Sequence, residues 1–82
     1  MDKSIYTDEY KTLTQLLRAT REAAGVTQVE LAKRLGQSQS YISKIELGDR
    51  RLDIVQLRTL LAAIGVKLVD FVVRYESELD GG

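Results

Sequence analysis

Neither cysteine nor histidine occurs among the 82 residues. That excludes disulfides and thiol chemistry and removes the usual nitrogen and sulfur ligands of zinc. Proline is absent too, which suits a helical chain better than a turn-rich β fold. No apolar run is long enough to span a bilayer and no signal peptide is legible, so no membrane partner is expected and the expected address is the cytoplasm. With no His, no Cys and no phosphate-binding loop, the remaining acid-base groups are carboxylates scattered over capping and surface positions, so an enzyme is not expected, nor any cofactor. Excess charge is also lacking. Twelve Lys and Arg balance twelve Asp and Glu, so the chain does not carry the overall basic signature of many nucleic-acid binders.

What is present is one small domain's worth of chain. At 44% hydrophobic and 29% charged the balance is globular. A chain of this length buries only ~60% of its unfolded surface, so the core must be compact. The charge is unevenly placed. Between Lys11 and Arg51 lie eight basic residues (Lys11, Arg18, Arg21, Lys33, Arg34, Lys44, Arg50, Arg51) and four acidic ones (Glu22, Glu30, Glu46, Asp49), while the ends carry the compensating acid. A positive middle can face phosphate.

The stretch from Thr27 to Gly48 reads as two short helices. Thr27 with Glu30 forms the capping-box pattern, and Val26 with Leu31 supplies a hydrophobic staple, so a helix starts at Gln28. Leu31, Ala32 and Leu35 give it an apolar side, and Gly36 stops it. Ser38 is a good N-cap for a second helix that ends near Leu47 with Gly48 as its stop. About three residues separate the two, the spacing of a helix-turn-helix. On the second helix, Tyr41, Ile42 and Ile45 fall together and point inward, while Gln39, Ser40, Ser43 and Lys44 fall opposite. Those four carry short donors and acceptors of the kind that read base edges in a major groove.

Thr27, Gln28, Leu31, Ala32, Gly36, Ser38, Ile42, Ser43, Glu46 and Gly48 together resemble the helix-turn-helix pattern of the lambda-repressor, 434-repressor and Cro-like superfamily, the XRE family. The likeness extends over roughly residues 13 to 75, the flanks matching in apolar pattern alone. It implies an all-α, compact four- to five-helix lambda-repressor-like domain that binds double-stranded DNA as a homodimer. It also implies roles. Gln28 resembles the family glutamine that bonds a backbone phosphate, and Gln39, Ser40, Ser43 and Lys44 match base-reading positions. Tyr41, Arg50 and Arg51 are expected on the sugar-phosphate backbone, with Ser38 divided between capping and phosphate. Arg21 and Glu46 match a structural ion pair that sets the angle between two helices. Leu47 departs from the polar or basic residues common at its position.

The flanks complete the expected layout. Residues 1–6 are read as an arm, 7–79 as the single domain with its helix-turn-helix at 28–47, and 80–82 as a tail. Thr7 can begin a first helix, whose stripe is Leu13, Leu16, Leu17, Thr20 and Ala24 and whose stop is Gly25. Asp53 with Gln56 forms a second capping box for a fourth helix carrying Leu57, Leu60, Leu61 and Ile64, ended by Gly65. From Val66 to Leu79 both helical and alternating periodicities occur; a helix is preferred, with a strand paired across a twofold axis as the competing form. The segment's surplus of apolar side chains makes Phe71, Val72 and Tyr75 the expected dimer interface. A nucleoid-associated transcriptional repressor on a pseudo-palindromic operator is the function this reading favours. An antitoxin with a toxin partner, a restriction-modification controller protein, and a protein-interaction module without DNA binding are the competing ones.

Overall fold

The computed structural model describes residues 3–81, with side chains from Asp8 onward. Five helices follow one another: α1 (Lys3–Ala23), α2 (Gln28–Leu35), α3 (Gln39–Leu47), α4 (Ile54–Ala63) and α5 (Leu68–Gly81), with no strand among the described residues. The starts of α2, α3 and α4 are each set by neighbours in sequence. Thr27 Oγ1 accepts from the Glu30 amide at 3.1 Å, Ser38 Oγ from Tyr41 at 3.2 Å, and Asp53 Oδ1 from Gln56 at 2.7 Å. Of the two expected capping boxes, Asp53–Gln56 is reciprocal. At Thr27 the Thr half is formed, while Glu30 turns to Arg34 across one helical turn at 3.5 Å. An acid four residues before a basic side chain on the same face has that option.

The first four helices stop by one device. After α2, Gly36 takes φ +66, its N–H reaches Lys33 O, and the Gln37 N–H reaches back to Ala32 O at 2.9 Å. This paired arrangement satisfies two carbonyls that a helix end leaves without partners, and it needs a left-handed residue that glycine adopts at no steric cost. The same pair of bonds closes α1, α3 and α4 around Gly25, Gly48 and Gly65.

Leu17, Leu31, Ile42, Ile45 and Leu61 are the largest fully buried side chains, one from each of the first two helices, two from α3 and one from α4. Each contributes about 1.5–3 kcal/mol by leaving water. Thr20 sits among them because its hydroxyl donates to Leu16 O at 2.7 Å, leaving no unsatisfied polar atom. α3 lies against α1 and α2, α4 packs on α2, and α5 on α1 and α4. Arg34 clamps the α2 and α4 ends together by donating to Ala63 O at 2.7 Å, a cation on a helix's C-terminal carbonyls.

Two expectations are corrected here. α1 starts at Lys3, four residues ahead of Thr7, because nothing between Ser4 and Thr7 breaks a helix and threonine inside one costs only about 0.7 kcal/mol or less; residues 1, 2 and 82 lie outside the described ones. The segment read as helix or strand is helical through Gly81, so positions 80 and 81 of the expected tail belong to α5. Phe71 inserts into the core at 2% exposure.

Candidate nucleic-acid interface

α3 is held by its inner face and free on its outer one. Ile42 and Ile45 are completely buried, whereas Gln39, Ser40 and Lys44 are exposed and Ser43 is half-buried at the edge. Leu47 continues the outer face one turn further and is 69% exposed. Tyr41, expected inside, is only half-buried; its ring is covered by the Arg50 guanidinium at 4.9 Å from the centroid.

Beneath this face lies a buried ion pair. Arg21 of α1 donates from Nε to Glu46 Oε2 at 2.7 Å and from Nη2 to Oε1 at 3.0 Å, with the two side chains 7% and 4% exposed. A third donor, Nη1, reaches Val26 O at 2.7 Å. Guanidinium and carboxylate meet fork to fork, a geometry that fixes orientation as well as distance. The hydrogen bonds to Glu46 raise the Arg21 pKa above its ordinary value against the opposing effect of burial, with the charges of Glu46 and Glu22 adding to the rise. The pair therefore joins the end of α3 to α1.

Gln28 extends this link to the surface. Its Nε2 donates to Glu46 Oε1 at 2.9 Å, and its Oε1 accepts from Gln39 Nε2 at 2.8 Å. The direction is dictated by chemistry. An ionised carboxylate only accepts, so Gln28 must turn its NH2 inward and its carbonyl toward Gln39. Gln39 then keeps its own Oε1 and one Nε2–H for whatever meets α3. Four side chains from three helices, Arg21, Glu46, Gln28 and Gln39, form one polar line from the core to the exposed face.

The turn after α3 presents Arg50 and Arg51. Arg51 stacks on Tyr10 of α1 at 4.7 Å, and the Tyr10 hydroxyl donates to Arg50 O at 3.5 Å. Two cations are thereby steadied by aromatic rings next to α3. Sequence reading missed Tyr10, although it lies three residues before Leu13 and so at helical spacing from the core stripe. It also missed the Gln28–Gln39 contact, which joins residues on different helices.

The three residues expected at a seam on α5 are not all on its surface. Phe71 is core, and Tyr75 is half-buried with its hydroxyl donating to Glu9 O at 3.0 Å, tying α5 to α1. Val72 is 38% exposed, and the more open apolar positions are Val69 and Val73 at 63% and 62%. At 100° per residue Phe71 and Tyr75 share the inward side, which is why the two largest side chains are taken up by the core.

The helix-turn-helix family model HTH_3 matches residues 17–71. An uncharacterized HTH-type transcriptional regulator of Sinorhizobium fredii is 42% identical over 62 residues, 73% of this chain; the chain spans about a third, 32%, of that relative's length. An XRE-family like protein from Pseudomonas syringae superposes with a TM-score of 0.84 at 39% identity, covering 93% of both chains. The restriction-modification controller protein C.Esp1396I, solved as a tetramer in complex with its natural 35 base-pair operator, superposes at 0.77 with 27% identity over 85% of this chain and 92% of its own. The match across the whole helix-turn-helix, with the fold on both sides of it, makes this chain a member of the XRE-type helix-turn-helix family of DNA-binding transcriptional regulators.

Proposed function

We propose that the chain binds double-stranded DNA as a homodimer on a pseudo-palindromic operator and represses transcription by occupying a promoter. The observation that carries this reading is the state of Gln39. Held through Gln28, it offers one acceptor and one donor side by side on an exposed helix face. Adenine presents the complementary donor and acceptor in the major groove, so Gln39 matches it in bidentate fashion. Lys44 suits the guanine acceptors, Ser40 and Ser43 serve either type of partner, and Leu47 suits a thymine methyl group.

The surrounding residues position rather than read. Gln28 keeps one Nε2–H beyond its bond to Glu46 and, at the first position of α2, directs it to a phosphate together with the helix amides. Ser38 accepts the Tyr41 amide and retains its hydroxyl proton for a phosphate oxygen. Tyr41, Arg50 and Arg51 grip the backbone beside it. A dimer places two α3 helices about one DNA turn, ~34 Å, apart. A restriction-modification controller role is the second reading, supported by the near full-length likeness to such a protein bound to its operator.

The test is selection of bound sequences from random duplexes, followed by affinity measurements with Lys44→Ala over a series of salt concentrations. The expected result is an enriched inverted repeat, a loss of about 1–3 kcal/mol on it, and relaxed preference at one base position. No enrichment with binding at no ionic strength removes the DNA reading. A uniform loss on all sequences removes Lys44 as a base reader.

A further inference from the structure

Tyr10 is a large side chain that the hydrophobic core does not use. Among the described residues Leu13 is the first on α1 to pack against that core, and Tyr10 lies one turn ahead of it on the same stripe, half-buried. Its ring meets Arg51 instead, with the guanidinium carbon 4.7 Å from the ring centroid. The helix beneath the ring is pinned from its other side, because the carbonyl of the preceding residue, Glu9, accepts from the Tyr75 hydroxyl of α5 at 3.0 Å.

The turn that carries Arg51 is fixed in its backbone. The amides of Asp49 and Arg50 both donate to Lys44 O, at 2.9 and 3.1 Å, and Leu52 packs against the core. Backbone bonds do not aim the two long, exposed side chains between them. The rings do: Arg50 lies over Tyr41 of α3 and Arg51 over Tyr10 of α1, so each of two consecutive cations has a ring of its own on a different helix.

We propose that Tyr10 is a positioning residue for DNA binding, which stacks on Arg51 and holds its guanidinium in the orientation that meets a phosphate. The stack takes a face of the planar group, whereas its N–H donors lie in the plane, so stacking and bonding a phosphate do not compete. Affinity scales with the fraction of molecules whose contact group already stands in the competent orientation, and the ring raises that fraction. Tyr10 lies on α1 and not on α3, so it acts on every sequence alike and leaves base choice untouched. The proposal rests on the reading of Arg51 as a phosphate contact and supplies the residue that aims it.

The test is a double-mutant cycle in DNA affinity, read by fluorescence anisotropy on the selected operator and on an unrelated duplex, with thermal unfolding confirming that each variant is folded. Tyr10→Leu keeps an apolar side chain and removes the π face. Tyr10→Phe keeps the ring and removes the hydroxyl that reaches Arg50 O at 3.5 Å. Tyr10→Leu is expected to weaken binding to both duplexes by about two- to fivefold, ~0.5–1 kcal/mol at 1.4 kcal/mol per tenfold, with their ratio unchanged. Tyr10→Phe should bind like wild type, and Tyr10→Leu should cost nothing further once Arg51→Ala is present. Equal losses from Tyr10→Leu with and without Arg51, no loss at all, or a loss as large from Tyr10→Phe overturn the stack as the cause. Arg51→Ala with unchanged affinity and salt slope removes the phosphate contact and the proposal with it, while the DNA reading stands. Wild type that binds neither duplex at low ionic strength removes both.

Discussion

Replacing Glu46 by leucine strips the buried arginine of its hydrogen-bonded counter-charge and leaves only the exposed Glu22 carboxylate, 4.0 Å away. Arg21 loses the acceptors of two hydrogen bonds and keeps only Val26 O, and the inward N–H of Gln28 loses its partner as well. Both side chains of the pair are nearly out of contact with water, so solvent does little to compensate. Removing one partner of a buried pair costs about 3–5 kcal/mol. A domain of 82 residues has in total about 4–12 kcal/mol of stability at the usual ~0.05–0.15 per residue. The variant is thus expected at the edge of folding, with a midpoint lowered by at least ~12 °C at ~4–8 °C per kcal/mol. The companion variant Arg21→Met/Glu46→Leu should recover most of this, since an apolar pair of similar volume needs no counter-charge. It leaves the Val26 carbonyl and the Gln28 amide short of partners, for a residual loss of about 1–3 kcal/mol. Urea unfolding followed at 222 nm measures all of these, with an unchanged slope as the sign that only stability has moved. A loss below about 1 kcal/mol for Glu46→Leu, or a double variant as unstable as the two single losses added together, would refute the claim that this pair holds α3 on α1.

Three further outcomes follow from the same geometry. Gly36→Ala meets no atom within 4 Å at its added carbon, so its whole effect is the left-handed backbone, about 1–2 kcal/mol by thermal unfolding; Gly36→Asn should lose clearly less, and equal losses would contradict this account. The Tyr75 phenol is held above its ordinary pKa, first by burial and then by the charges of Glu9 and Glu76. Its neutral form is the one the fold favours, so its contribution is complete below the unfolded value near 10 and fades as pH rises from there through the higher folded value. Urea midpoints of wild type and Tyr75→Phe should therefore keep a constant gap up to about pH 9.5 and change in the variant's favour above it; a gap independent of pH through 11 would refute the assignment. Gln28→Ala should relax the base preference at the position read by Gln39 while leaving preference at the Lys44 position intact, as measured by competition with single-base operator variants; equal loss at both positions would mean that Gln28 acts on affinity alone.

The parts of the fold that were legible in the sequence are the ones governed by neighbours along the chain. Thr27, Ser38 and Asp53 each cap through an amide three residues on, and Gly25, Gly36, Gly48 and Gly65 each follow a helix whose last carbonyls they help satisfy. Local hydrogen bonding decides such positions, so their residue types announce them. The start of α1 was less visible because no residue between Ser4 and Thr7 forbids helix, and a permissive stretch gives no boundary signal. The inward–outward division of α3 was readable from periodicity, but Tyr41 came out half-buried because Arg50, nine positions later, offers its ring a cover. The same limit explains α5. Its apolar surplus pointed to a seam, yet which valines remain outside depends on Phe71 reaching a core built by α1 to α4, and on Tyr75 finding Glu9 sixty-six positions earlier.

On the proposed reading, Gln39 meets its target base already immobilised by Gln28, so the entropy of ordering a long side chain, up to about 2 kcal/mol, is charged to folding and not to recognition. The arrangement also makes positions 28 and 39 a unit. A new side chain at 39 that cannot donate leaves the Gln28 carbonyl without its protein partner, while a new one at 28 sets the reader loose. On that reading, a change of target base at this point of the proposed operator is a two-residue event, and one-residue routes to it pass through a loosened, less discriminating protein.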